Sequence, residues 1–288
     1  MMKEASFYTV SGEGVRCRLC PHHCLIKEGG RGICRSRECR DGTLYALTYG
    51  RPCALAVDPV EKKPLNRFMP GTFCLSLSCT GCNLSCRWCQ NSDISQAAPE
   101  DVDGVLLMPE KVVELCLKRG LPSIAFTYTE PLTWWEYIYD IAVLAHERGL
   151  KNILVSAGYV EKEPLRDLMP YLDAANVDIK AMDDGFYRRY CGATLAPVLE
   201  NILAMVKAGV HVEITNLLIP GLNDAEDQVG ALCRWMVDNG LQEVPLHFSR
   251  YFPHYKMTEP GPTPRQTLFK ARDLALSEGI RTVFLGNI

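Results

Sequence analysis

Three cysteines in one short stretch, Cys82, Cys86 and Cys89, form the spacing C-x3-C-x2-C between Ser78 and Asn91. Thiolates are the protein ligands of iron–sulfur clusters, and a cubane cluster has four irons. Three closely spaced cysteines on one loop hold three of those irons and leave the fourth open to an external ligand. A closed structural site would supply four ligands. Zinc, with Cys79 as the fourth thiolate, is therefore the competing reading.

A second set lies nearer the N-terminus. Cys17-x2-Cys20-x3-Cys24-x9-Cys34 places four thiols within eighteen residues, with His22, His23 and Cys39 nearby. Such a segment has little core of its own, and a bound metal would supply folding free energy. Zinc held by four thiolates is the first expectation here, a second iron–sulfur cluster the next, and reduced cysteines without metal the third. Of the 14 cysteines, only Cys116, Cys191 and Cys233 follow residue 90. Those three sit in apolar or helical contexts and read as small buried hydrophobes.

The three-cysteine loop resembles the signature of the radical S-adenosylmethionine superfamily. The wider string Cys82-Asn-Leu-Ser-Cys-Arg-Trp-Cys-Gln-Asn91 is similar to the activases of glycyl radical enzymes. A closer resemblance is to the AmmeMemoRadiSam system radical SAM enzyme. It rests on Asp58-Pro-Val-Glu-Lys-Lys-Pro-Leu65, Pro70-Gly71, Ile94-Ser95-Gln96 and Tyr128-Thr-Glu-Pro131. Val177-Asp-Ile-Lys180, Leu218-Ile-Pro-Gly-Leu-Asn-Asp224, Pro245-Leu-His-Phe-Ser-Arg250 and Gly286-Asn287 continue it to the end of the chain. The resemblance implies a [4Fe-4S] cluster on Cys82, Cys86 and Cys89 whose open iron binds S-adenosylmethionine. Reductive cleavage then gives a 5′-deoxyadenosyl radical that abstracts hydrogen. The organic chemistry is the cofactor's; the protein orients and shields it.

By the same resemblance Trp88 lies near the adenine, where stacking is favourable; an ordinary core tryptophan is the alternative. Thr129 and Glu130 stand where relatives carry Gly-Gly-Glu-Pro, near the amino group of the methionine part. Glu130 equally suits a helix N-terminus. Ser156 offers a hydroxyl to a ribose or carboxylate, although Ser156-Ala157-Gly158-Tyr159 departs from the usual Thr-Asn-Gly-Tyr at two positions. Val155 replaces the acid that helps hold a monovalent cation in activases, so no such cation site is expected. Asp178 serves the ribose side and Lys180 the carboxylate, with a mutual salt bridge as the other reading. His247 corresponds to a histidine at the cofactor pocket, or is a satisfied core residue. Glu213 stands where activases carry an arginine, which sets this chain apart from a standard activase.

These residues need a scaffold, and the hydrophobic pattern supplies one. Apolar runs predict strands over Phe73–Ser78, Ser123–Tyr128, Asn152–Ala157, Ala175–Lys180, His211–Leu218, Val244–Phe248 and Thr282–Leu285. Amphipathic segments between them predict helices: Pro109 to Gly120, Pro131 to Gly149, Pro197 to Gly209, and one capped by Asn223-Asp224 that ends at Gly240. This alternation predicts an α/β fold, a partial (β/α)6-type TIM-like barrel, with a doubly wound sheet as competitor. The expected division is a Cys-rich metal knuckle and connector over residues 1–70 and the barrel over residues 71–288. The charged stretch Asp58–Leu65, elsewhere a solvated charge run, lies between the knuckle and the first predicted strand, placed to cover the mouth of the active site.

A net charge of −3 gives no electrostatic reason to expect nucleic acid. No apolar run is long enough to span a membrane, and the N-terminal residues lack a signal-peptide pattern. The protein is expected in the cytoplasm, where thiols stay reduced. An external electron donor of flavodoxin or ferredoxin type is expected, together with a protein partner or substrate from the same gene system. Activation of a glycyl radical enzyme is the alternative function, and a non-catalytic zinc or iron–sulfur electron-carrying module is the second. No residue names a substrate.

Overall fold

The apolar runs assemble into one eight-stranded sheet in the computed structural model, which describes residues 3–288. Its strands are β1 (Ala54–Pro59), β2 (Phe73–Ser78), β3 (Ser123–Phe126), β4 (Lys151–Ser156), β5 (Ala174–Asp178), β6 (His211–Leu218), β7 (Leu246–Arg250) and β8 (Val283–Gly286). They lie side by side in chain order; β1 runs antiparallel to β2, and all later neighbours are parallel. Helices α1 (Pro109–Lys118), α2 (Trp135–Glu147), α3 (Lys162–Leu168), α4 (Ala196–Lys207), α5 (Glu226–Asp238) and α6 (Arg265–Ser277) connect β2 through β8. Six strand–helix units with unpaired edges at β1 and β8 make the expected partial barrel.

Local chemistry accounts for most of the element ends. Proline enters at the start of α1 and α4, where a missing N–H costs nothing. Glycines with positive φ follow at Gly120, Gly149 and Gly209. Helix α5 differs from expectation: its N-cap is Ala225, without a side-chain cap. Asn223 and Asp224 brace the preceding turn instead, Asn223 Nδ2 donating to the carbonyls of Lys180 and Leu217 at 2.7 and 2.8 Å. The asparagine thus ties the end of β6 to the segment after β5.

Strand β1 was not visible as a pattern, and it falls inside the stretch assigned to the extension. It pairs with β2 along its full length, from Ala54–Ser78 to Pro59–Phe73. The chain then crosses the N-terminal ends of the parallel strands. Val60 and Leu65 pack with Cys74, Ala125, Ile153 and Ala174 in a small apolar cluster. Asn176 Nδ2 donates to the Pro64 carbonyl at 2.8 Å. The Asp58–Leu65 stretch is therefore a plug in the barrel floor and not a cover over its mouth, because its apolar members seek the interior layer.

Two three-stranded antiparallel sheets form the front end. One joins Lys3–Glu4, Thr43–Ala46 and Arg37–Arg40; the other joins Tyr8–Ser11, Gly14–Cys17 and Leu25–Ile26. Strands of two to four residues are too short to show a period. Arg37, wholly buried, anchors this unit to α2 through Glu136 at 2.5 Å. The Glu136 carboxylate also accepts from the Ser6 N–H at 2.7 Å.

Candidate active site

The cysteine loop leaves the C-terminal end of β2, the end at which parallel barrels carry their chemistry. It is held from several sides. Ser85 and Arg87 donate backbone N–H groups to the carbonyls of Cys191 and Tyr190, at 2.7 and 3.1 Å, from a π-helical turn, Tyr187–Cys191. Gln96 Nε2 reaches the Leu84 carbonyl at 3.0 Å, and Asn91 Nδ2 reaches that of Tyr128 at 2.8 Å. Gly81 has φ +91°, and a Cβ there would stand 2.3 Å from the Cys34 carbonyl oxygen. Only glycine lets the front end press so closely on this loop.

Cys82, Cys86 and Cys89 all line one cavity of about 610 Å³. Cys82 Sγ accepts from the Leu84 N–H at 3.3 Å, and Cys89 Sγ lies 3.2 Å from the Ser95 hydroxyl. The Cys191 thiol is hydrogen-bonded to Cys86 and, with the charge of Lys180, holds the Cys86 thiol below its usual value despite burial. Cys191, which reads in the sequence as a plain buried hydrophobe, is thus a neighbour of this site. Burial pushes the Cys82 thiol well up.

Trp88, Thr129, Glu130, Ser156, Asp178 and Lys180 line the same cavity. Trp88 is almost fully buried and leans on Phe186, ring centres 5.6 Å apart, so it combines a core role with a cavity wall. Glu130 caps the turn Pro131–Trp134 by accepting from the Leu132 N–H at 3.1 Å. It also accepts from Ser156 Oγ at 2.6 Å and the Ala157 N–H at 2.8 Å. Burial raises its carboxyl above the usual range, against these donors. Asp178 and Lys180 form an ion pair at 2.5 Å, the second of the two readings of these residues. Burial works against the Lys180 charge, but Asp178 and Cys86 hold its ammonium well above the ordinary lysine value.

His247 lies elsewhere. It does not line the cavity. Its Nε2 meets Glu213 Oε2 at 2.6 Å, and its ring stacks on Phe284. Glu213, fully buried, also meets His211 at 3.0 Å and accepts from the Asn66 and Arg67 N–H groups at 3.1 and 2.7 Å. Burial opposes its charge, yet these four donors lower its carboxyl to about 2. His247 therefore serves the barrel floor, because a buried carboxylate beneath it needs partners more than the cavity needs a histidine. Lys62 and Lys63, from the charged stretch expected at the active-site mouth, line the cavity too, and so does Tyr128, which was not singled out by itself. Their signal was present in the charged Glu61-Lys62-Lys63 run and the Tyr128-Thr-Glu-Pro131 block.

Cys17, Cys20, Cys24 and Cys34 also converge, on an enclosed space of about 20 Å³. A Cβ on Gly32 would touch both Cys34 and Cys24 sulfurs, at 3.6 and 3.9 Å. That volume is about one water-sized sphere, far too small for a cubane. Burial raises the Cys17, Cys20 and Cys24 thiols, Cys20 to about 12. Among the described residues no group of three or more His, Cys, Asp or Glu side chains is gathered closely enough to hold a metal ion. The zinc expectation gains no support from this arrangement. The cavity of the C-x3-C-x2-C loop faces no such limit of room, since a cubane holds its thiolates farther apart than one ion does.

The fold is thus a parallel partial barrel with a three-thiol loop at the mouth of its first parallel strand, opening on a cavity that charged and polar side chains line together with apolar ones. The pattern of the Radical SAM superfamily matches residues 77–233, and the chain belongs to that superfamily. It is a radical SAM enzyme, near the pyruvate formate-lyase activase group. Over 288 residues it is 46% identical to an uncharacterized protein of Methanocaldococcus jannaschii, covering 100% of this chain and 86% of that one. It is 27% identical over 158 residues to the pyruvate formate-lyase-activating enzyme of Clostridium pasteurianum, covering 53% of this chain and 64% of that protein. Streptococcus suis SuiB bound to S-adenosylmethionine shares the fold, with TM-score 0.57 and 12% identity over 74% of this chain and 51% of SuiB. Among the described residues no helix is long and apolar enough to cross a membrane.

Proposed function

We propose that Cys82, Cys86 and Cys89 hold a [4Fe-4S] cluster and that S-adenosylmethionine binds beside it for hydrogen abstraction from a substrate. The observation that carries this reading is the shared cavity: three cysteines and Glu130, Ser156, Asp178 and Lys180 line one space of about 610 Å³. When bound, the cluster and S-adenosylmethionine supply reductive cleavage to methionine and a 5′-deoxyadenosyl radical. The chain's part is to bind and orient. Lys180 presents an ammonium to a carboxylate, Asp178 accepts from ribose hydroxyls, and Trp88 offers an apolar wall to the adenine. Glu130 and Thr129 place oxygens towards the amino group. The residues that precede β1 act in this reading as a structural extension that braces the loop through the Cys34–Gly81 contact.

Anaerobic reconstitution with iron and sulfide, then reduction with S-adenosylmethionine, tests the proposal. A cubane spectrum and 5′-deoxyadenosine are expected; their joint absence refutes it. The electron donor in this scheme is a flavodoxin or ferredoxin.

Activation of a glycyl radical enzyme is the second reading. It is favoured by the 4-hydroxyphenylacetate decarboxylase activating enzyme of Clostridioides difficile, 23% identical over 264 residues, 88% of this chain and 77% of that protein. Against it stands Glu213, which is spent on the barrel floor where activases place an arginine. A glycyl radical signal in a candidate partner would decide for activation. The narrower resemblance to the AmmeMemoRadiSam system enzyme leads to a different expectation, a substrate or partner from that gene system.

A further inference from the structure

We propose that the β1 side of the cavity is a substrate subsite for an oxyanion, a carboxylate or phosphate group, received by Lys62 on a frame of Lys63, Asp58 and Tyr128. The proposal rests on the functional reading above and names the substrate class that reading leaves open.

The charges do not balance locally. Lys62 Nζ and Lys63 Nζ each donate to Asp58, to Oδ1 and Oδ2, both at 2.7 Å. Two ammonium groups share one carboxylate, and both lysines line the cavity that holds Cys82, Cys86 and Cys89. The other cavity lysine, Lys180, is already paired with Asp178. An anion reaching the β1 side of the cavity therefore meets two ammonium groups set against one carboxylate, while the remaining lining carboxylate, Glu130, is held away from them by Ser156 and the Ala157 N–H.

The two lysines are not equivalent. The Lys63 side chain is 1% exposed and that of Lys62 is 62% exposed. Lys63 is sealed between Asp58 and the Tyr128 ring, 4.6 Å from its centre. Asp58 keeps Lys63, the Tyr128 phenol and the Ser76 hydroxyl as donors if Lys62 leaves. Lys62 is thus the exchangeable member: it can trade Asp58 for a substrate oxyanion without stranding a buried charge.

Two features give this group a purpose beyond packing. Burying Lys63 with Asp58 beside the apolar cluster of Val60 and Leu65 gains little over hydrophobic residues of similar volume. Tyr128 moreover adopts φ +69°, a strained conformation for a bulky side chain. In that conformation its phenol reaches Asp58 while its carbonyl accepts from Asn91, two residues past Cys89. One residue thus fixes the distance between the lysine pair and the cysteine loop, which is what a subsite must do to present a C–H bond to the radical.

Competitive acylation of the full-length protein with acetic anhydride, read per lysine by mass spectrometry, tests the inference. Labelling is compared in inorganic phosphate, in acetate, and in chloride of equal ionic strength. Lys111 and Lys162 on exposed helices are the internal references. The expected result is a several-fold loss of Lys62 labelling in phosphate or acetate, with the references unchanged. Protection by phosphate alone assigns a phosphate-bearing substrate, and protection by acetate alone a carboxylic acid. Equal labelling of Lys62 in all three salts, or an equal fall at every lysine, overturns the proposal. The measurement needs neither cluster nor S-adenosylmethionine, so its failure is separate from a failure of the radical reading.

Discussion

The two cysteine sets of this chain use one residue type to opposite ends. Cys82, Cys86 and Cys89 open onto about 610 Å³ lined by Glu130, Ser156, Asp178 and Lys180. Cys17, Cys20, Cys24 and Cys34 close on about 20 Å³ next to Leu19, Ile26 and the buried Arg37. The first set has room, polar partners and a vacancy in its ligand count. The second has the full count of four and room for no more than about one water-sized sphere. Spacing alone marks both as ligand sets; only the volume and company of the sulfurs tell them apart.

The sharpest way to break the comparison is to remove one sulfur from the open set. Cys86→Ala is expected to abolish both the cluster absorption and 5′-deoxyadenosine formation, measured after anaerobic reconstitution. Retention of either one would refute the ligand assignment. On the closed side, Glu136→Gln weakens the anchor of the front end and leaves Arg37 buried beside a neutral amide. We expect a loss of about 3 kcal/mol in stability, read by thermal or denaturant unfolding, from the cost of an unpaired buried charge. Turnover per folded molecule should survive, and its disappearance would make the front end part of the chemistry.

A second effect is expected at the floor, and it depends on pH. Glu213 has a carboxyl lowered to about 2 from an ordinary 4.5. A depressed carboxyl contributes stability that is fully present above its unfolded value and is lost as pH falls towards its folded value. Glu213 therefore contributes on the order of 3 kcal/mol at neutral pH, and that contribution fades between about pH 4.5 and 2. Glu213→Gln should flatten the pH dependence of unfolding in that window; an unchanged slope would show that the carboxylate does not hold the plug. Tyr128→Phe should cost least, about 1 kcal/mol, because Asp58 keeps three other donors. A loss several times larger would mean that the phenol does more than complete that network.

The alternation of strands and helices was legible because buried parallel strands write near-continuous apolar runs. The cysteine loop was legible because ligand spacing survives in one dimension. Strand β1 was not, since Ala54–Pro59 is an edge strand whose Ala54, Leu55, Ala56 and Val57 are all exposed or half-exposed, with no period to read. Its consequence, the plug of residues 60–72, is equally hidden, because the sequence shows Asp58–Leu65 as a charged stretch without the sheet partner that draws it to the barrel floor. His247 shows a second limit: its partner Glu213 lies 34 residues away. Only the sheet register brings them together, and the pair answers a need for charge balance that a motif does not state. Cys191 shows a third, because a lone thiol in an apolar context reads the same whether or not another sulfur lies beside it.

The central claim is that the open set leaves one coordination position for S-adenosylmethionine. Electron paramagnetic resonance of the anaerobically reduced, reconstituted protein tests it most directly, with spectra taken before and after addition of S-adenosylmethionine. The account predicts a reduced-cubane signal whose shape changes on addition, and no such signal in Cys86→Ala. A cubane signal that is indifferent to S-adenosylmethionine, or one that persists in Cys86→Ala, would contradict it.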